Sequence, residues 1–373
     1  MSLICGSIAL SLLSHERPTQ GAQEYFREVG GDCSVTSVGK FRNGSPKAWC
    51  RTHARVVRPA VDNKCPDRGI VLKLRCLSLD VDRYSGGIGI WGSLPPAIDT
   101  ANANMDEESL LRGVHVHARP DLKSRKEVDD TYDVVALYRG SELVVTLDTA
   151  SSTALVQARI AGTESSLIRC PRCGAEHLDE GWFAVTPHRK HQCMCCGREF
   201  YDKTASSGNT VETRITELFP HSRQPRVHPD REIDLTRHLD AGRNIRVWGT
   251  HEAILWTAER PEEAGIHVHV HDRNGDYVVD ETFDLAILHG TELDTGQVRL
   301  LMLQKSLDHL TGRIRALRCQ HCAADLCSSS AAAVNPSCSH KCQKCGKITT
   351  THKKLVINPL VSWGATTFPA GGR

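Results

Sequence analysis

The sequence predicts an α+β, β-rich fold in which one module occurs twice behind a small N-terminal unit. Three observations lead there. Cys170, Cys173, Cys193 and Cys196 recur as Cys319, Cys322, Cys342 and Cys345, each 149 positions further on. Upstream of each set stands an alternating segment, Gly113-Val-His-Val-His117 and Gly265-Ile-His-Val-His269, preceded by Ile90-Trp91-Gly92 and Val247-Trp248-Gly249. The runs between these landmarks are apolar and β-branched, as strands are. Similarity at a fixed spacing marks a repeated structural unit.

The landmarks place the first module at residues 84–202 and the second at 244–360. Residues 1–80 form the N-terminal unit and 361–373 a tail. The intervening 203–243, with Pro220, Pro225 and Pro229 among Arg and His, reads as a linker carrying one short helix at 233–239. Within a module, Val114 and Val116 point to one face of a strand while His115 and His117 point to the other. The next run, 132–138, reads as its partner strand. It contains Asp133, which the repeat matches to Asp284. In the second module Asn274-Gly275 supplies a hairpin turn. Pro187 and His191 are likewise answered by Pro336 and His340.

Bulk properties narrow the class. A chain of 373 residues exceeds one ordinary domain, and 40% apolar with 24% charged residues is a globular composition. Forty-six basic against 44 acidic residues leave a net charge of +2, too small for the whole-molecule field to attract nucleic acid or an anionic membrane. The apolar start, 3–13, is too short to span a bilayer and lacks a basic leader, so no membrane association is expected. Most of the 16 cysteines fall into metal-ligand spacings that need a reducing environment, from which a cytoplasmic location is expected.

Two CxxC pairs bring four sulfurs to the corners of a tetrahedron, the geometry zinc accepts most readily. In Cys170-Pro-Arg-Cys173-Gly and Cys193-Met-Cys-Cys196-Gly, the glycine after the second cysteine permits the turn that points backbone N–H groups at sulfur. The second copy has Ala323 where the first has Gly174. These segments, 170–200 and 319–349, resemble the zinc-ribbon, or rubredoxin-like knuckle, superfamily. The resemblance implies a structural zinc in each and leaves the partner open, because such ribbons bind nucleic acid or protein or brace a larger fold. A structural zinc contributes about 10–16 kcal/mol, on the scale of a whole domain's stability. Four thiolates leave no open coordination position, so these ions are not catalytic. In the N-terminal unit, Cys33, Cys50, His53 and Cys65 form a candidate third zinc site with looser spacing. The basic residues around it, interleaved with Phe41 and Trp49, suit a phosphate-holding surface or a plain solvated face.

The histidines are the candidates for chemistry. His115 with His117, and His267 with His269, offer two imidazoles from one strand face. With Asp133 or Asp284 added, each set resembles the two-histidine, one-carboxylate sites that keep coordination positions open. The second copy also resembles the cupin motif through His269-Val-His271 and Asp276, although the first copy has Leu122 in the acid position. The same alternation arises on a solvated sheet face, and that reading stays open. No phosphate-binding GxxxxGK[ST], dinucleotide GxGxxG opening a helix, GxSxG, HExxH or deaminase signature is present.

The reading that follows is a zinc-stabilised binding protein whose tandem modules grip nucleic acid or a protein partner. A metalloenzyme using the HxH histidines and a carboxylate to hold an open catalytic metal is the first alternative, and an architectural subunit of a larger complex the second.

Overall fold

The computed structural model describes residues 75–100, 113–220, 231–250, 253–257 and 265–363 in full, and the backbone alone at 35–40, 46–50, 55–57, 226–227, 263–264 and 364–366. The fold is a strand-rich α+β arrangement. In the N-terminal unit the backbone forms a three-stranded antiparallel sheet, Val35–Lys40, Pro46–Cys50 and Arg55–Val57. Cys33, His53 and Cys65, and the side chain of Cys50, lie outside the described residues, as does the basic surface around them.

From residue 76 onward the same order of elements runs twice. In the first run Gly87–Gly92 pairs antiparallel with Val114–Arg119, which pairs with Val128–Tyr132. Val134–Arg139 then lies between Cys76–Asp80, parallel to it, and Glu142–Asp148. A helix, Thr149–Ala161, follows, opened by a reciprocal cap between Asp148 and Ser151 and closed by Gly162 in a left-handed conformation. The run ends in the hairpin His188–Gln192 and Glu199–Gly208, whose turn carries Cys193 and Cys196. In the second run the corresponding elements are Asn244–Gly249, Ile266–His271 and Tyr277–Phe283, then Leu285–Leu288 parallel to Glu232–Asp234, the helix Thr295–Ser306, and the hairpin Ser337–Lys341 and Ile348–Ile357.

The alternation read from the sequence sets the sheet faces. Val114, Val116 and Ala118, and Ile266, Val268 and Val270, are fully buried beneath the two helices, while the histidines between them point away. Gly92 and Gly249 sit where each helix crosses its sheet. A Cβ on Gly92 would meet the Ser152 carbonyl at 2.6 Å, and one on Gly249 the Arg299 Cγ at the same distance.

Two short strands, one from each run, join the two runs. Ile98–Asp99 leaves the first run to pair with Asn244–Gly249, and Leu255–Trp256 leaves the second to pair with Gly87–Gly92. The apolar faces of both runs merge into one continuous core. The stretch 203–243, read as a linker, carries the end of a cysteine-hairpin strand, a helix at Thr210–Leu218 and the strand Glu232–Asp234. The helix expected at 233–239 is Leu235–Asp240, because Asp234 ends the strand and accepts from Thr236 N–H as its cap. Cys76–Asp80, assigned to the N-terminal unit, is a strand of the first run's sheet. No helix among the described residues is long and apolar enough to cross a membrane.

Candidate metal centres

The four-cysteine sets converge as their spacing demands. Cys170 and Cys196 Sγ atoms stand 3.8 Å apart, Cys173 and Cys193 3.6 Å, Cys319 and Cys345 3.6 Å, and Cys322 and Cys342 3.7 Å. Sulfurs arranged tetrahedrally at about 2.3 Å from zinc lie about 3.8 Å from one another, so both sets can hold such an ion. Each knuckle closes on a backbone bond back to its first cysteine, from Gly174, Gly197, Ala323 and Gly346. All four closing residues are left-handed, and Ala323, at φ 56°, is the one with a side chain to strain. The His321 N–H, 3.4 Å from Cys319 Sγ, holds that thiol down to about 6, which favours the thiolate a metal needs.

On the histidine strands the structure builds two smaller groups. Register places His115 opposite Thr131 and His117 opposite Asp129. His115 Nε2 is 2.8 Å from His117 Nε2, and Asp129 Oδ1 is 3.0 Å from His117 Nε2 and 3.9 Å from His115 Nε2. In the second run His267 and His269 Nε2 are again 2.8 Å apart, with Asp280 Oδ1 at 3.4 and 3.1 Å. Thr131 Oγ1 and Thr282 Oγ1, each 3.1 Å away, take Nδ1 of His115 and His267, which turns both Nε2 atoms inward. Trp91 packs on His117 at 5.0 Å between ring centres, and Trp248 on His269 at 4.7 Å.

The carboxylates are not those expected from the sequence. Asp133 accepts from Arg75 N–H at 2.7 Å and Asp284 from Arg231 N–H at 3.0 Å, where each anchors the start of a parallel strand. The histidine strand's partner ends at Tyr132, so the residue facing His117 lies four places before Asp133. The signal was present in Asp129-Asp130-Thr131 and Asp280-Glu281-Thr282, which share an acid and a threonine two apart. The cupin-like set is not assembled either. A register shift after Val270 turns His271 into the protein, where its Nδ1 meets the Gly275 carbonyl.

Electrostatics couples the two groups. Burial, then the neighbouring His117, pushes His115 down to about 3, and burial with His269 pushes His267 down to about 4. Both rings are therefore held neutral at neutral pH, the form in which an imidazole ligates a metal. Burial opposes ionisation of Asp129, but His117 and Lys126 outweigh it and hold the carboxyl below the usual range. The His269 hydrogen bond does the same for Asp280. His267 contributes to the depression of His115, and Lys126 to that of His267, so the groups lie within electrostatic reach of each other. They differ in one neighbour. Lys126 Nζ stands 3.3 Å from His117 Nε2 and 3.0 Å from Asp129 Oδ2, whereas Tyr277 packs edge-on to His269 at 5.3 Å between ring centres.

A fifth group, which sequence reasoning missed, is His177, Asp179 and His191, buried beside the first four-cysteine set. No protein-family model, curated protein or solved structure matches the chain.

Proposed function

We propose that this chain is a metal-dependent enzyme, built by duplication of one module, whose working centre is the facing pair His115–His117–Asp129 and His267–His269–Asp280. Zinc in each four-cysteine set braces the module. The observation that carries the reading is the convergence, twice, of two imidazole nitrogens and one carboxylate oxygen, with the remaining ring nitrogen of one histidine held by a threonine. Ligands about 2.1 Å from an ion and at right angles to one another lie about 3 Å apart, and five of the six separations fall between 2.8 and 3.4 Å. Three ligands of this kind leave positions for water and substrate, where a divalent ion acts as a Lewis acid.

The two centres are unequal. The Lys126 ammonium already neutralises Asp129 and competes with a cation there. The His267–His269–Asp280 set has Tyr277 in the corresponding place, so it is the stronger ion site. An ammonium facing a metal suits a substrate with an anionic or carbonyl oxygen. The test is metal content. Wild-type protein binds more ions than its cysteines hold, and His267→Ala/His269→Ala loses one while keeping the cysteine-bound zinc. Identical metal content in the two proteins would sink the reading.

A second reading, tandem binding of nucleic acid or a protein, draws on exposed Trp182, Phe183, Met194 and Tyr201 around the first cysteine hairpin. Nucleic-acid binding that weakens steeply with salt would support it, and a flat salt dependence would remove phosphate contacts.

A further inference from the structure

Beside the first four-cysteine set, and separated from it by Phe200, lies a polar nucleus that neither the zinc brace nor the histidine strands use. Its members come from the loop at 177–179 and the strand His188–Gln192. Side-chain exposure is 3% for His177, 6% for Asp179, 0% for His191 and 14% for His188. The carboxylate is ringed by nitrogen. Asp179 Oδ1 is 2.7 Å from His177 Nε2 and 3.4 Å from His188 Nε2, while Oδ2 accepts from Gly208 N–H at 2.7 Å and lies 3.3 Å from His191 Nδ1.

Hydrogen bonds alone do not satisfy this arrangement. His188 Nδ1 donates to the Thr186 carbonyl at 3.0 Å, so the neutral ring turns the Nε2 lone pair toward a carboxylate oxygen. That contact is repulsive unless something positive lies between. His191 makes no hydrogen bond through either nitrogen, its 3.3 Å approach to Asp179 being out of line, and His177 Nδ1 has no partner. Buried polar atoms without partners are rare, and an ion is one of the standard reasons for them. A second proton on one ring relieves one contact. A single cation held by His177 Nε2, His188 Nε2, His191 Nδ1 and the carboxylate relieves the His188 and His191 contacts together, with His177 Nδ1 and His191 Nε2 left as ring N–H groups.

The second run shows that the scaffold does not need the cluster. At the corresponding positions it carries Leu326, Ser328, Ser337 and His340. Ser328 Oγ accepts from Ile357 N–H at 2.9 Å, where Asp179 accepts from Gly208, and Leu326 is buried in the place of His177. An acceptor is required there, and a neutral hydroxyl suffices. The carboxylate and the extra imidazoles of the first run exceed what folding asks.

We propose that His177, Asp179 and His191, with His188 at the fourth position, form a zinc site of nitrogen and oxygen ligands, present in the first run and lacking in the second. Three imidazoles and one carboxylate satisfy tetrahedral zinc, and their burial marks the ion as structural. It ties the 177–179 loop to the cysteine hairpin and to the strand end at Gly208, bracing the first ribbon twice where the second is braced once.

The direct test is anomalous scattering at the zinc absorption edge from crystals of the full-length protein grown with zinc. A peak against Asp179, separate from that of the four cysteines, is expected, and no density there would overturn the proposal. In solution, His177→Leu/Asp179→Ser/His188→Ser installs the residues the second run uses. This variant is expected to lose one zinc per chain while the thiolate-to-cobalt absorption of the cobalt-substituted four-cysteine sets stays unchanged. Undiminished zinc would contradict the site. Should the triple variant fail to fold, Asp179→Asn and the wild-type anomalous map decide between the same two outcomes.

Discussion

At the scale of single residues, the contrast between Gly174 and Ala323 is informative because both close the same knuckle turn. A left-handed residue with a Cβ costs about 1–2 kcal/mol relative to the right-handed form. Ala323→Gly should therefore raise stability by about 1 kcal/mol, read as a higher denaturant midpoint, and Gly174→Ala should lower it similarly. Equal midpoints would show that the knuckle tolerates the side chain. Thr282 acts at one remove. Its hydroxyl holds His267 Nδ1 so that Nε2 faces Asp280, and Thr282→Val should weaken metal binding at that centre by about 10–100-fold with the fold unchanged, as a binding isotherm would record. The rings carry a pH signature as well. With His115 held at about 3 and His267 at about 4, below the ordinary 6.5, metal-free protein resists protonation there, and stability is lost as pH falls from about 6.5 toward those values. Imidazole resonances of both residues should remain those of the neutral ring at pH 5. Half-protonation near pH 6.5 would contradict the burial inferred for them.

At the scale of elements, the alternation of Val and His made the strands and their two faces legible, and the paired CxxC spacing made the cysteine sets legible. The acids that complete the histidine groups were harder to find. Period-two reasoning placed the partner strand at 132–138, whereas the pairing strand ends at Tyr132 and Asp133 turns to accept from the Arg75 backbone 58 positions away. That parallel pairing with Cys76–Asp80 is non-local and leaves no mark in the alternation itself. His177, Asp179 and His191 escaped notice for a related reason, because only folding of the hairpin brings the loop beside the strand. The glycine of each Trp-Gly pair was legible as part of the repeat but not as a crossing point. A Cβ at Gly92 meets Ser152 backbone at 2.6 Å, which cannot move alone, while one at Gly249 meets Arg299 Cγ at 2.6 Å and Arg299 backbone only at 3.1 Å. Gly92→Ala should therefore cost about 1–3 kcal/mol and more than Gly249→Ala, a ranking that thermal melts can reverse if the helix shifts freely.

At the scale of the whole molecule, the repeat suggested two units and a linker, and the described residues show the two runs joined by exchanged strands. Each run lends a two-residue strand to the other's sheet, so Trp256 lies 5.6 Å from Trp91 across the exchange, and the apolar faces share one core. Such an exchange cannot be seen in hydrophobic pattern, because Ile98–Asp99 and Leu255–Trp256 are too short to show a period. One core predicts one cooperative unfolding transition across residues 75–366 in calorimetry, and two independent transitions would restore the separable units. The same exchange holds the two histidine faces within electrostatic reach, which is what makes a shared centre possible. On the proposed function, this centre holds an ion of its own, apart from those bound by cysteine and by the His177–Asp179–His191 group. With the cysteine sets and the His177–Asp179–His191 group already filled by zinc, a titration with cobalt(II) followed by nitrogen and oxygen ligand spectra should show a further ion bound by wild type and lost in His267→Ala/His269→Ala. Equal binding by the two proteins, or no binding by either, would contradict it.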